Sequence, residues 1–344
     1  MKTSLTMLRT EQFGWRGQLE IARAGDRYGY ERLWVTEAYG YDAFTQLAAY
    51  ATVTDRIGLA TGIISVFGRS PAAIAQTAAT LDMLSYGRFL LGLGTSSSVL
   101  ATEWHGVPFD DALSRLKESI QIVRMILAKE KLVHHGRFFD MSAGLRMQEK
   151  PVRASIPIYV GALTPAGMRL TGELADGWIA TFFSPQHFDT VVAPSIQHGL
   201  ERRASSLKRL KICVFQTVVV ADQLDLGRDA VRANLALYVG AMGKPERNYY
   251  GKLFRRYGFA DQVDLIQSLY QQRRRDEAVA ALTDEMIDSV TIIGPVERCR
   301  ARLLELEVAR VDEVALEVIV PGAPLEGFVS VLAQLAPSTD ARVQ

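Results

Sequence analysis

Short runs of β-branched and apolar residues alternate along the chain with longer segments whose apolar positions repeat at helical spacing. The unit recurs every roughly 25 to 35 residues, the rhythm of repeated βα units. The runs fall at 4–8, 32–36, 57–62, 89–93, 157–160, 177–181, 210–220 and 313–318. Eight such strands, nearly all followed by a helix, predict an α/β protein built as a (β/α)8 TIM barrel with insertions rather than an open sheet. The helical segments agree. Leu113, Leu116, Ile120, Val123 and Leu127 fall on one helix face. Ser70-Pro71 predicts a helix start, a capping hydroxyl followed by a residue pre-set for the first turn, with Ile74, Ala78, Leu81 and Leu84 as the inward stripe. A single barrel domain over 1–344 results, with a polar, helical insertion at about 241–288 between the seventh and eighth strands, too short for an independent core.

Composition narrows the setting. The chain has 344 residues, 48% of them hydrophobic, and 39 basic against 38 acidic side chains, for a net charge of +1. Its mean hydropathy is +0.06. No apolar run is long enough to cross a bilayer, and the balanced charge offers no broad field for nucleic acid or an anionic membrane. A soluble protein with a small-molecule partner is expected. The opening residues carry no signal-type stretch, and Cys213 and Cys299 both lie in apolar-patterned segments, which predicts buried thiols and a cytoplasmic, reducing location.

In a barrel of this kind, chemistry gathers at the C-terminal ends of the strands. After the second strand come Glu37 and Tyr39, after the third Gly62, Ile63 and Ser65, and after the fourth Thr95, Ser96 and Ser97. Gly161, Ala162, Leu163 and Thr164 follow the fifth. Glycine lets a ligand approach the backbone, and amides and hydroxyls donate to phosphate oxygens. Gly92-Leu93-Gly94 lacks the third glycine of a dinucleotide fingerprint, so a tight turn without a ligand is the alternative there. Thr164-Pro165 opens a helix, either adding its positive end to an anion site or serving as a plain N-cap. Glu37 has the chemistry of a general acid or base, or of a hydrogen-bond acceptor, and its alternative is a solvated turn carboxylate. No histidine has metal-ligand spacing, and neither a nucleophile elbow nor a catalytic cysteine context occurs. Few catalytic side chains beside phosphate-type loops point to a cofactor that carries the chemistry.

The succession Tyr30-Glu31-Arg32-Leu33-Trp34-Val35-Thr36-Glu37, Ile57-Gly58-Leu59-Ala60-Thr61-Gly62, Thr80-Leu81-Asp82-Met83-Leu84-Ser85-Tyr86-Gly87-Arg88 and Leu91-Gly92-Leu93-Gly94 resembles the bacterial luciferase-like superfamily. Within it, the chain is most similar to the branch of oxidoreductases that use the 5-deazaflavin coenzyme F420. The likeness continues through Pro157-Ile158-Tyr159-Val160-Gly161-Ala162, Leu174-Ala175-Asp176-Gly177-Trp178 and Ile292-Ile293-Gly294. It implies a deazaflavin ring in the barrel mouth, backed by a cis peptide at Gly62-Ile63. It also implies that Thr95, Ser96, Ser97, Ala162, Leu163 and Thr164 hold the phosphate and ribityl chain, with Thr181 lining the same cavity. A homodimer is the family expectation. Members that oxidise sugar phosphates have aspartate-histidine after the second strand and glutamate in the fourth loop, where this chain has Glu37-Ala38 and Ser97. The resemblance therefore implies hydride transfer between the deazaflavin C5 and another small organic substrate, a carbonyl, alcohol or activated alkene, with Glu37, Tyr39 or solvent handling the proton. An FMN-dependent monooxygenase and a non-catalytic flavin-binding protein are the alternatives. Lys252 and Arg255 in the insertion are candidates for the polyglutamate tail of the cofactor.

Overall fold

The computed structural model describes residues 1–308 and 310–337. Its strands are β1 (Lys2–Thr6), β2 (Arg32–Val35), β3 (Gly58–Thr61), β4 (Ile64–Ser65), β5 (Phe89–Gly94), β6 (Leu132–His135), β7 (Asp140–Leu145), β8 (Ile158–Gly161), β9 (Gly177–Thr181), β10 (Lys211–Val220), β11 (Thr291–Gly294) and β12 (Glu313–Ile319). Eight of them close a parallel barrel in the order β1, β2, β3, β5, β8, β9, β10, β12 and back to β1. These are the eight runs of the sequence pattern, shifted by one or two residues at their ends. Two short strands lie outside that pattern: β4 continues beyond β3 along β5, and β11 pairs with the upper half of β10 above the point where β9 ends. The antiparallel β6–β7 hairpin stands apart from the barrel.

The surrounding helices are α1 (Gly14–Tyr28), α2 (Ala43–Ala51), α3 (Pro71–Leu84), α4 (Ala112–Leu127), α5 (Pro165–Leu174), α6 (Ala193–Leu200), α7 (Leu224–Ala241), α8 (Tyr249–Arg256), α9 (Ala260–Gln271), α10 (Arg275–Ala280), α11 (Asp284–Asp288), α12 (Val296–Val308) and α13 (Leu325–Leu335). Ser70 caps α3 by accepting from Ala73 N at 3.2 Å, with Pro71 in the first turn. Ile74, Ala78 and Leu81 of its stripe are buried. Leu84 departs from the expectation at 42% exposed, because Leu81, Asp82 and Ser85 form the buried face at the end of α3. Asp82 is buried instead, held by Arg153. On α4, Leu116, Ile120, Val123 and Leu127 are buried against the sheet, while Leu113 reaches the barrel mouth. Each fully buried residue of this kind contributes about 1.5–3 kcal/mol of transfer free energy.

Alternation along β12 and β10 decides what fills the barrel. Cys213 pairs with Glu313, Phe215 with Ala315 and Thr217 with Glu317, so side chains from both strands stack inward at three levels. At the bottom, Glu313 is 4% exposed and accepts from Ser4 Oγ at 2.6 Å, Arg32 Nη1 at 2.6 Å and Trp34 Nε1 at 2.9 Å. Trp34, packed edge-on to Phe215 at 5.3 Å and tilted on Tyr159 at 6.1 Å, closes the middle. Cys213 lies in this packing, and burial pushes its thiol well above the usual range. Cys299 is likewise a buried free thiol.

The excursion between β10 and β11 is entirely helical and builds a second apolar cluster around Val239, Phe254, Val263 and Ile266. Because α7 contributes Val231 and Leu235 to it, the packed unit begins at Leu224, ahead of the polar stretch from 241. Among the described residues, no helix is long and apolar enough to cross a membrane.

Candidate active site

The C-terminal end of the barrel opens into a cavity of about 390 Å³, within the range of about 300–1,000 Å³ usual for small-molecule sites. A larger cleft, about 630 Å³, lies outside the barrel between the helical insertion and α12. Its Arg228 is already paired with Asp225, Asp284 and Asp288, and no strand end of the β5 or β8 loops reaches it. The barrel mouth is where the candidate residues converge.

One wall is a backbone bulge. The Gly62-Ile63 peptide is cis, as the resemblance implies, and Gly62 N donates to Val35 O at 2.8 Å. A Cβ on Gly62 would stand 2.5 Å from Phe215 Cζ, so a side chain there would have to displace the Phe215 ring. Ile63 projects over the strand ends: a Cβ on Gly94 or on Gly161 would meet its side chain at 3.1 or 3.0 Å. A Cβ on Gly92 would lie 1.9 Å from Thr61 O. Gly92 and Gly94 are therefore glycine to admit β3 and Ile63, and the tight-packing alternative accounts for both.

The adjoining walls carry hydroxyls. Thr95, Ser96 and Ser97 follow β5, with Ser96 in the left-handed region at φ 56. Ser97 Oγ accepts from Leu100 N at 3.3 Å, whereas Ser96 Oγ has no partner among the described residues and Thr95 Oγ1 makes one contact of 3.4 Å. After β8, Gly161, Ala162, Leu163 and Thr164 lead into α5. Thr164 is its N-cap, accepting from Gly167 N at 3.1 Å, and its hydroxyl proton remains free to donate into the cavity mouth. Ala162 O is held by Trp178 Nε1 at 2.8 Å and Leu163 O by Arg256, which fixes the loop. Thr181 and the left-handed Phe182 end β9; Phe182 packs edge-on to Tyr238 and Tyr250 at 5.2 and 5.6 Å, closing the side toward the insertion.

Glu37 lines the cavity, but its two oxygens already accept three hydrogen bonds: Arg69 Nη1 at 2.5 Å, Arg69 Nη2 at 3.0 Å and Ala43 N at 3.0 Å. Arg69 also grips Asp42. The hydrogen bond to Glu37 foremost, against the cost of burial, holds the guanidinium charged. Asp42 is desolvated, yet the hydrogen bonds from Thr45 and Arg69 prevail and lower its pKa. This carboxylate anchors the loop. Two other residues singled out from the sequence fall outside the cavity. Tyr39 stands on the rim, 63% exposed, because the anchoring of Glu37 turns the next residues outward. Ser65 is buried under the bulge, its Oγ accepting from Phe67 N at 3.2 Å. In the insertion, Arg255 is paired with Asp264, and neither it nor Lys252 lines the mouth.

The sequence pattern does not single out the opposite wall. Glu317, one level above the β12 positions that face the core, accepts from Thr217 Oγ1 at 2.7 Å and from Arg9 Nε at 2.5 Å. Tyr238 stands near them; burial, reinforced by Glu317 and opposed by Arg9, pushes its hydroxyl pKa up. The alternation 313, 315, 317 is the signal that could have found Glu317, since two carboxylates on the inward face of a strand require partners.

The C-terminal mouth of this parallel barrel is a single small-molecule site, with the Ile63 bulge on one side and hydroxyl loops on the next. The model of the family described as luciferase-like monooxygenase matches residues 2–313, and the chain belongs to that family. A Mycobacterium tuberculosis protein assigned as a coenzyme F420-dependent oxidoreductase is 33% identical over 305 residues, 85% of this chain and 88% of that one. The 5,10-methylenetetrahydromethanopterin reductase of Archaeoglobus fulgidus is 27% identical over 303 residues, 86% of each. In fold, the chain resembles the F420-dependent tetrahydromethanopterin reductase of Methanopyrus kandleri with a TM-score of 0.78 at 20% identity, covering 98% of this chain and 99% of that one.

Proposed function

We propose that the protein is a coenzyme F420-dependent oxidoreductase that moves a hydride between the deazaflavin C5 and a small organic substrate, a carbonyl, alcohol or activated alkene. The observation that carries this reading is the pairing of the Ile63 bulge with two hydroxyl loops whose Thr95 and Ser96 oxygens lack strong protein partners. Such a wall fits a planar ring resting on Ile63 and a phosphate-bearing chain running toward the N-terminus of α5. Bound there, the deazaflavin supplies a hydride acceptor or donor.

The chain's own residues do the rest. Thr95, Ser96 and Thr164 offer hydroxyl donors to the phosphate end, and Ala162 and Leu163 hold the chain against the barrel. Ile63, Leu235 and the Phe182–Tyr238–Tyr250 aromatic group exclude water from the side of the ring. Glu37, saturated by Arg69 and Ala43, positions the loop after β2, and the proton that accompanies hydride transfer comes through the open side of the mouth. Ala38 lines the cavity without an acid–base group, which removes the partner that sugar oxidation would need.

The test is turnover. Purified protein with reduced F420 is offered simple ketones, aldehydes and enones, and in parallel reduced FMN under air. Loss of reduced F420 that depends on the organic acceptor supports the reading; oxygen consumption with reduced FMN and no F420 turnover overturns it.

A further inference from the structure

We propose that Arg9 is the substrate-recognition residue of this site and that the substrate carries a carboxylate, which binds the open fork of its guanidinium. This rests on the reading of the mouth as an F420 site and extends it to the other half of the cavity.

Position comes first. In the strand order of the barrel, β12 lies four places from β5 and β1 lies four places from β8, so each pair faces across the barrel. The hydroxyl loops after β5 and β8 thus look across the mouth at Glu317 on β12 and at Arg9 just beyond β1. A cofactor held by the hydroxyl loops leaves the Arg9 wall to whatever lies on the far side of its ring.

Arg9 is built to face inward. It adopts the left-handed region at φ 62, a conformation that a residue with a side chain takes up only under local constraint. The turn holding it is tied by Thr10 Oγ1, which donates to Met7 O at 2.6 Å. Its side chain is 31% exposed and lines the cavity. Glu317, 13% exposed, takes only the Nε proton, and Thr217 Oγ1 holds the other oxygen of that carboxylate. Neither Nη1 nor Nη2 of Arg9 has a hydrogen-bond partner among the described residues. Leu5 of β1 pairs with Leu316, which brings the next residue, Thr6, level with Glu317, and Thr6 Oγ1 is buried without a partner among the described residues.

The same mouth shows what a filled fork looks like. Arg69 bridges two carboxylates, Glu37 and Asp42. Arg9 bridges one, and the two free nitrogens present the planar, bidentate geometry that a carboxylate matches and a single neutral oxygen uses only in part. With Glu317 already balancing one charge, the guanidinium stays fixed in place before substrate arrives.

The experiment titrates benzoate and methyl benzoate into the protein, alone and loaded with F420, by calorimetry and, for the loaded form, by cofactor fluorescence. Wild type is expected to bind benzoate at least about tenfold more tightly than the ester, about 1.4 kcal/mol. Arg9→Gln is expected to lose that preference, and Arg9→Lys to keep part of it as a point charge. Affinity for F420 stays within about twofold in both variants, which separates a substrate site from one for the cofactor's own carboxylates. Thermal unfolding of each variant confirms the fold. Equal binding of acid and ester, no benzoate binding to wild type, or an unchanged preference in Arg9→Gln overturns the proposal. Failure of F420 to bind wild type, with benzoate still bound through Arg9, would instead count against the cofactor reading alone.

Discussion

Two glutamates of β12 each pair with an arginine from another strand or loop, and the pairs differ in how completely they are satisfied. At the bottom, Glu313 is enclosed by Arg32, Ser4 and Trp34, with no direction left for a ligand. Four residues on, Glu317 pairs with Arg9 and Thr217, and the arginine keeps two nitrogens open to a cavity. The two glutamates share a strand and a face, so neither sequence context nor residue type separates them. What separates them is depth. A buried charge survives only when every bond it can make is made inside the protein, whereas a charge at the mouth is stable with valences left over because water, or a ligand, completes it.

This difference sets the expected order of effects. Glu313→Ala removes the buried carboxylate shared by Ser4, Arg32 and Trp34, leaving Arg32 only Glu31 at 3.1 Å, and is expected to cost about 3–5 kcal/mol of stability, measured by urea unfolding. A loss under about 1 kcal/mol would mean that the bottom pair is no more structural than the upper one. Gly92→Ala, which forces a Cβ to within 1.9 Å of Thr61 O, is expected to destabilise the barrel by about 1–3 kcal/mol or more, on the same assay. Glu317→Gln should cost only about 1 kcal/mol of stability. Its effect should appear in steady-state kinetics as a rise in KM for the organic substrate, and a stability loss equal to that of Glu313→Ala would erase the contrast. Ser96→Ala removes one donor to the phosphate end and is expected to weaken F420 binding by about 1 kcal/mol, roughly fivefold.

The smallest effect concerns acid. Asp42 has a lowered pKa in the folded protein, so its contribution to stability is present above the ordinary carboxylate range and is lost as pH falls through the folded value. Asp42→Asn should therefore narrow its stability deficit against wild type as the pH is taken below about 4, which acid-unfolding curves of the two proteins would show.

Much of the fold is legible in the sequence because parallel barrel strands, buried on both faces, write themselves as apolar β-branched runs, and all eight fall where those runs lie. What is not legible is set by neighbours distant in the chain. Leu84 carries the helical spacing of its stripe, but the end of α3 buries Leu81, Asp82 and Ser85 instead, with Asp82 held by Arg153 from 71 positions away. β11 is four residues long and exists because the upper half of β10 has a free edge there. In the site, the strand-end rule finds Glu37 and the hydroxyl loops, which are contiguous. It cannot find the Arg9–Glu317 pair, whose members stand 308 positions apart and meet only when the last strand closes on the first. Nor can it tell that Gly92 and Gly94 make room for protein rather than for ligand, since a missing Cβ looks the same in either case.

If the mouth with its bulge and hydroxyl loops holds a deazaflavin, oxidised F420 binds there in preference to FMN. A fluorescence titration of the purified protein with oxidised F420, run beside one with FMN, tests it most directly. Micromolar or tighter binding of F420, with FMN much weaker, is the predicted result. Tight FMN binding with no affinity for F420 would contradict it and make reduced-flavin oxygen chemistry the reading of this barrel.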